Sequence, residues 1–372
     1  MSRGSRALEQ RLRRWVDSDL ESIILDGSHV LTMVVHPPPV KQLRSIRPMR
    51  ALVTGIGGQD GSLLAEQLLA DGIAVSGLTH RPPGEVPELI EPIAREVELL
   101  RGDLLDAGSL VRAVHDSRPD VIYHLAAPTY VPASWDNPAA TFNAIPAATA
   151  TILEAGCTVD ARIVIAASSE IFGDAGETPQ RETSPMRPLS PYGAAKLAAH
   201  HLARIWRERH DCHASSAITF NHESERRPER FVTRRVTLAV ASIVLGLEQE
   251  VTLGDLDAQR DWSAARDIVR GMRLMAVQDQ ADDYVLASGT ARTVRDLVDV
   301  AFGAAGLNPD DHVSVDPDLT RPADPTPALG DPSKARERLG WEATISFEEM
   351  IAGMLEADLA RLRAGASQRA AD

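Results

Sequence analysis

The chain is poor in residues that staple a fold or hold a metal. It has two cysteines, Cys157 and Cys212, too few for a disulfide framework or a metal set, so a reducing cytoplasm is the expected compartment. No apolar run reaches the length of a membrane span, so no membrane association is expected. Basic residues are outnumbered, and the net charge of -14 argues against non-specific binding to nucleic acid. It leaves room for a local basic pocket that takes a phosphorylated ligand. His210-Asp211-Cys212-His213 has a ligand-like composition. It falls at a helix-to-strand connection without a distant partner pair and reads as surface polar residues, so no metal site is expected. Aromatics are few, but 44% hydrophobic content over 372 residues supports a sizeable core in one large domain or two coupled ones.

Residues 1–48 stand outside the pattern that follows. The tip is basic (Arg3, Arg6, Arg11, Arg13, Arg14), and Pro37-Pro38-Pro39 reads as an extended linker. A transit-like arm and a mis-assigned start with Met49 as the working initiator both fit; Glu9, Asp17, Asp19, Glu21 and Asp26 weigh against the arm. From Met49 strands and helices alternate. Strands are expected at Met49–Thr54, Ile73–Leu78, Val97–Leu100, Val121–Ala126, Arg162–Ala167 and Ser215–Phe220. Helices are expected at Ser62–Ala70, Ala107–Ser117, Pro138–Ala155 and Pro191–Arg209. This alternation predicts an α/β, Rossmann-like, doubly wound parallel sheet over 49–221. After Asn221 the alternation weakens into loops and helices, and 222–365 is read mainly as a smaller substrate-binding lobe. A capping box, Ser346 with Glu349, is expected to open the last helix.

Two stretches carry chemistry. Gly55-Ile56-Gly57-Gly58-Gln59-Asp60-Gly61 lies between the first strand and helix. Gly55 suits a tight turn, Gly58 lets the backbone approach a pyrophosphate, and Gly61 lets helix and strand pack closely. The second stretch is Ser168-Ser169-Glu170 followed by Ser190-Pro191-Tyr192-Gly193-Ala194-Ala195-Lys196. Tyr192 and Lys196 are one helical turn apart on one face, where the lysine cation is expected to lower the phenol pKa. Ser168 and Glu170 add an acid/base group, as a redox enzyme that also eliminates something would need.

With these elements in this order, the chain resembles the extended short-chain dehydrogenase/reductases. Phe220-Asn221-His222-Glu223-Ser224, Phe231-Val232-Thr233-Arg234 and Leu256-Asp257-Ala258-Gln259-Arg260-Asp261-Trp262 extend the resemblance to the GDP-mannose 4,6-dehydratases, over about residues 50–360. The resemblance implies that Gly55, Ile56, Gly57, Gly58, Gln59, Asp60, Asp103, Leu104 and Leu125 line a dinucleotide, with Lys196, His222 and Arg227 completing its site. It implies catalysis by Ser168, Glu170, Tyr192 and Lys196, with Ser168 standing where the family usually has threonine. Asn221, Arg235, Arg260 and Arg321 would hold a nucleotide-sugar, and Asp324 stands where the family has glutamate.

Two segments depart from the family. His80-Arg81-Pro82-Pro83 replaces paired arginines and serines that grip a 2′-phosphate and build a tetramer contact, and Pro128-Thr129-Tyr130 replaces Gln-Ser-His beside the reacting sugar. No acidic residue ends the second strand, so Arg81 is read as a cofactor contact and NADP as the cofactor. The implied activity is dehydration of GDP-mannose to a 4-keto-6-deoxy product by a homo-oligomer, dimer or tetramer. A 4-keto reductase or epimerase on another nucleotide-sugar is the rival reading. A simple reductase needs Tyr192 and Lys196 but no carboxylate base, which makes Glu170 the discriminating residue. A non-enzymatic NADP-binding regulator would leave the acid/base set unused.

Overall fold

The computed structural model describes residues 49–319 and 327–371. Strands β1 (Arg50–Thr54), β2 (Ala74–Thr79), β3 (Val97–Arg101), β4 (Val121–His124), β5 (Arg162–Ala166) and β6 (Ala214–Thr219) fall within a residue or two of their expected places. Of the helices that separate most of them, α2 (Ala107–Ser117) and α4 (Pro191–His210) fall where expected, α1 (Gln59–Ala70) starts three residues early, and α3 (Ala148–Thr158) covers only the later part of the helix expected from Pro138. The strands, with β10 (Asp283–Leu286), are parallel neighbours in one sheet of order β10-β6-β5-β4-β1-β2-β3. The order reverses between β1 and β4. Side chains at the carboxyl ends of those strands therefore border a crevice, where doubly wound sheets bind ligands.

The seventh strand, β10 (Asp283–Leu286), lies well beyond the boundary read at residue 221. The chain builds most of a second lobe and then returns to the sheet. That lobe holds more than the expected loops and helices. The chain from residue 221 on contains β7 (Asn221–Glu223), α5 (Val232–Val244), β8 (Val251–Leu253), β9 (Gln259–Ala264), α6 (Ala265–Ala276), β11 (Ala291–Thr293), α7 (Val294–Ala304), β12 (Val313–Val315), α8 (Ser333–Leu339) and α9 (Phe347–Ala371), of which α6 and α8 pack on the main sheet and not in the lobe. Strands β11, β9 and β7 form a small sheet, and β12 pairs with β8. Strands of three residues give no readable alternation.

Both faces of the main sheet are covered. Leu63, Leu64 and Leu68 of α1 and Ile268, Met272 and Met275 of α6 pack on one side, with Trp341. On the other, Leu110 and Val114 of α2 meet Ile152 and Leu153 of α3 and Ala199 and Ala203 of α4. The second lobe has its own core, which includes Val236 and Val240 of α5, Leu297 and Phe302 of α7, and Met350, Ile351 and Met354 of α9. Helix α9 is bolted to α5 by the buried pair Arg234–Asp358 at 2.6 Å, with Thr237 donating to the same carboxylate. The expected capping box is present: Ser346 N–H donates to Glu349 and Glu349 N–H donates back to Ser346 Oγ.

Three expectations need correction. Cys157 and Cys212 are bonded to each other, their Cα atoms 5.6 Å apart across 55 residues of sequence. The end of α3 and the lead into β6 converge below the sheet, a proximity invisible in spacing. The long helix expected from Pro138 is interrupted by a π turn at Asn143–Ala147. Pro146 sits inside that turn; it has no N–H to give and its ring crowds the preceding turn. His213 is not a surface residue: it is half-buried, and its ring meets the Gln278 carbonyl at 2.9 Å and Arg162. Among the described residues, no group of His, Cys, Asp and Glu could hold a metal ion.

Candidate active site

The glycine turn is built as the strand-turn-helix reading requires. Gly55 adopts φ +74° between β1 and α1, a conformation that L side chains rarely take. A Cβ on Gly61 would lie 2.2 Å from the Gly55 carbonyl oxygen, so the helix can approach the strand only because no side chain is there. Gly57 and Gly58 are exposed, and Gly58, the residue before α1, supplies no side-chain cap. The first-turn N–H groups of α1 lack a side-chain acceptor, and the positive end of the helix lies at the crevice. This arrangement fits the diphosphate of a dinucleotide.

A second motif, 160 residues away in the chain, is bonded to this turn. His222 Nε2 meets Asp60 Oδ2 at 2.9 Å. Gln59 Nε2 donates to the His222 carbonyl at 3.1 Å, and Ser224 Oγ donates to Gln59 Oε1 at 2.9 Å. Burial by itself would lower the His222 pKa, but the charge and hydrogen bond of Asp60 outweigh it and the net direction is up. Burial works against the Asp60 carboxylate too, and His222, Gln59 and Arg227 outweigh it, so its pKa falls. The Asn-His-Glu-Ser and Gly-rich motifs are thus one network.

The acid/base residues share a cleft of about 900 Å³. Its lining includes Asp60, Leu125, Ser168, Glu170, Tyr192, Lys196, Asn221, His222, Arg227, Arg235 and Arg260. Three local devices set it. Ser168 follows β5 in extended conformation and caps the short 3₁₀ turn Ser169–Ile171 that carries Glu170. Ser190 caps α4 through Gly193 N–H, with Pro191 at its first position, so Tyr192 enters the first turn. Lys196, one turn later, donates from Nζ to the Ala166 carbonyl at 2.6 Å.

Electrostatics differ from the expectation for Tyr192. Burial raises its pKa above that of a free phenol; a hydrogen bond from Ser168 acts the other way and Glu170 adds to the rise. Lys196 Nζ lies 5.8 Å from the ring centroid and is itself pushed down to about 8 by burial. In the protein alone Tyr192 is therefore a neutral phenol, and further positive charge is needed beside it to favour phenolate. His124, beneath the cleft, is driven down to about 3 by burial and by Lys196, and its neutral ring bonds Thr54 Oγ1 at 2.8 Å.

Three expected cofactor contacts lie outside the cleft, and three of the arginines that line it already have partners. Arg81 and Asp103 are exposed and Leu104 half-buried, just past the carboxyl ends of β2 and β3, outside the cleft lining. Arg227 pairs with Glu223 at 3.1 Å and stacks 3.6 Å over the Phe231 ring. Arg235 donates to the Thr252 carbonyl at 2.7 Å, and Arg260 to that of Gln259 at 2.6 Å. Arg321 and Asp324 fall outside the described residues.

Sequence reasoning missed Asp261. It is fully buried and accepts from Ser288 N–H and Oγ, Gly289 N–H and Gly330 N–H at 2.6 to 3.2 Å. It ties the cleft-lining ends of β9, Arg260 and Trp262, to the exit of β10 and to the segment after residue 327. The one available signal was a carboxylate between two residues of an implied binding motif.

Comparison with known proteins places this geometry in context. The GDP-mannose 4,6 dehydratase family model matches residues 52–354. GDP-mannose 4,6 dehydratase 1 of Arabidopsis thaliana is 41% identical over 329 residues, covering 84% of this chain and 91% of that protein. The GDP-mannose 4,6-dehydratase of Yersinia enterocolitica is 40% identical over 348 residues, covering 83% of this chain and 94% of that protein. Among solved structures, UDP-glucose 4-epimerase of Thermus thermophilus in complex with NAD superposes with a TM-score of 0.71 at 26% identity, covering 83% of this chain and 99% of that chain. The chain belongs to the GDP-mannose 4,6-dehydratase family.

Proposed function

We propose that the protein converts GDP-mannose to GDP-4-keto-6-deoxymannose, with NADP as a cofactor regenerated in each turnover. The 4,6-dehydratase class follows from the family; the residue roles and the choice of NADP are our reading. One observation carries it: Ser168, Glu170, Tyr192 and Lys196 line a single cleft together with Arg235 and Arg260. A simple hydride-transfer enzyme has no use for the carboxylate.

The residues act in sequence. Tyr192 accepts the proton of the hexose 4-hydroxyl. A nicotinamide cofactor, its diphosphate held at the glycine turn, would supply the hydride chemistry at carbons 4 and 6, and its charge would add to that of Lys196 beside the buried phenol. Once carbon 4 is a ketone, the carbon 5 proton is acidic, and Glu170 removes it. Ser168 orients the departing 6-hydroxyl, which takes up the proton held by Glu170 and leaves as water; the proton held by Tyr192 returns to carbon 5 as hydride returns to carbon 6. Asn221, Arg235 and Arg260 hold the nucleoside diphosphate, whose roughly two charges match arginine forks. NADP rather than NAD is supported by Arg81 at the end of β2 and by Thr79 and His80, where an acid would pair a ribose hydroxyl.

Mass spectrometry after incubation with GDP-mannose should show loss of one water without net accumulation of NADPH. Recovery of unchanged hexose would sink the substrate assignment. The 4-epimerase likeness keeps a second reading open; a panel of nucleotide-sugars separates it, because an epimerase retains the water. We read the protein as a homo-oligomer, supported by exposed Trp135, Phe142 and Ile205 on and beside the helices around α4. Sedimentation at equilibrium tests it. Among the described residues no helix is long and apolar enough to cross a membrane. A cytoplasmic location is our reading, and the bonded cysteine pair opposes it.

A further inference from the structure

Three arginines lie between β7 and α5, and Arg234 follows in the first turn of α5; three of these four are neutralised. Arg226 pairs with Glu66, Arg227 with Glu223, and Arg234 with Asp358. Arg230 differs. It lines the cleft and is exposed. Among the described residues it meets two aromatic rings and no carboxylate: its guanidinium carbon lies 5.4 Å from the centre of Tyr130 and 5.2 Å from that of Phe231. The rings pack edge to face, 6.2 Å apart at 89°. Tyr130 comes from the loop after β4 and Phe231 from the residue before α5, so the contact bridges the two lobes at the cleft.

We propose that Arg230 is a further binding residue for the diphosphate of the nucleotide-sugar, held by a clasp of Tyr130 and Phe231. The inference rests on the nucleotide-sugar reading and deepens it. A guanidinium within cation–π range of two rings, and with no carboxylate partner among the described residues, has its N–H groups available to fork onto phosphate oxygens. The ring contacts also restrain a long side chain, so less freedom is lost on binding. Arg230 is next to cleft residues Phe231 and Val232, on the lobe that bears Arg235. That position assigns it to the substrate's phosphates rather than the cofactor's. Tyr130, in the segment that departs from the family's Gln-Ser-His, becomes the residue that positions it.

The test is a calorimetric titration of the full chain with GDP, GMP, guanosine and NADP. Arg230→Ala should weaken GDP about tenfold or more, as loss of a charge-assisted fork does. GMP should weaken less, and guanosine and NADP not at all. Tyr130→Ala should weaken GDP severalfold in the unaltered background and add nothing beside Arg230→Ala, whereas Tyr130→Phe keeps the stack and the affinity. GDP affinity within twofold in Arg230→Ala would overturn the proposal, as would an equal loss for guanosine or NADP. Failure of the unaltered protein to bind GDP would overturn the nucleotide-sugar reading and the proposal with it.

Discussion

Gly58 and Gly61 lie three residues apart in one turn, yet alanine at each should fail in a different way. A Cβ on Gly61 would stand 2.2 Å from the Gly55 oxygen and 2.7 Å from Ile56 Cα. That is roughly 1 Å inside ordinary contact, and both neighbours are backbone, so no rotamer relieves it. Helix α1 must recede, but it is wedged on the sheet by Leu63, Leu64 and Leu68, all fully buried. Overpacking of this kind costs about 1–3 kcal/mol, a fall in melting temperature of roughly 2–12 °C. At Gly58 the new Cβ meets only the Gly55 oxygen, at 3.3 Å, and the backbone (φ −89°, ψ 175°) suits alanine. The fold should tolerate it.

The exposed Gly58 backbone nevertheless faces the place where a pyrophosphate would lie. Gly58→Ala should therefore keep its melting temperature and lose at least tenfold in NADP affinity, about 1.4 kcal/mol. Gly303→Ala is the control: it sits inside α7 with nothing within 4 Å of the new methyl, and should stabilise by about 0.5–1 kcal/mol. Thermal melts of the three variants, with NADP titrations by fluorescence, separate the effects. NADP binding to Gly58→Ala at unaltered affinity would refute the cradle, and an unchanged melt for Gly61→Ala would refute the close approach.

Glu170→Gln should slow water loss about a hundredfold to ten-thousandfold while the first hydride transfer survives, so reduced nicotinamide absorbance should build in a single turnover; near-normal dehydration would remove Glu170 from the mechanism. The Asp60–His222 pair should make stability depend on pH. The raised His222 pKa contributes fully below about pH 6.5 and is lost as pH rises through its folded value, and the lowered Asp60 pKa contributes above about pH 3.9. Urea unfolding should thus show the deficit of Asp60→Asn largest between about pH 4 and 6.5 and smaller at pH 9; a deficit independent of pH would contradict the pairing. Asp358→Ala leaves Arg234 buried without its carboxylate and should cost about 3–5 kcal/mol, a fall of roughly 6–20 °C, read by calorimetry; a loss under 1 kcal/mol would show the pair does not hold α9.

The first six strands were readable because parallel strands covered on both faces appear as apolar runs, such as Arg162–Ala166 and Val121–His124. The second lobe was not. Asn221–Glu223 is a strand of three polar residues, and its pairing partner β9 begins with Gln259-Arg260-Asp261. Neither has an alternation to detect. That Ser168, Glu170, Tyr192 and Lys196 share one cleft was legible because they lie close in sequence on one strand end and one helix. The Asp60–His222 contact joins residues 162 apart, and the cysteine pair joins residues 55 apart; only the closed fold brings them together. Pairing of Lys196 with Tyr192 was legible as spacing but not as energy, because burial raises the tyrosine more than its neighbours lower it.

These contacts explain why the site needs both lobes at once. Gln59 and Asp60 belong to the glycine turn, and His222 and Ser224 to the strand that opens the second lobe. Asp261 in turn fastens β9, the neighbour of β7, to the end of β10, which lies in the main sheet. The path from the glycine turn to the cleft arginines is therefore continuous: α1 to β7 by side-chain hydrogen bonds, β7 to β9 by strand pairing, and β9 back to the sheet through one buried carboxylate. A group bound at the turn and a group held by Arg235 and Arg260 are referred to the same rigid frame. A shift of about 1 Å between reacting atoms can cost a hundredfold in rate, so such a frame has a direct chemical consequence. On the roles proposed above, it would keep carbon 4, carbon 5 and carbon 6 of one hexose within reach of Tyr192, Glu170 and Ser168 through three successive bond changes, with no need for the substrate to leave or turn over.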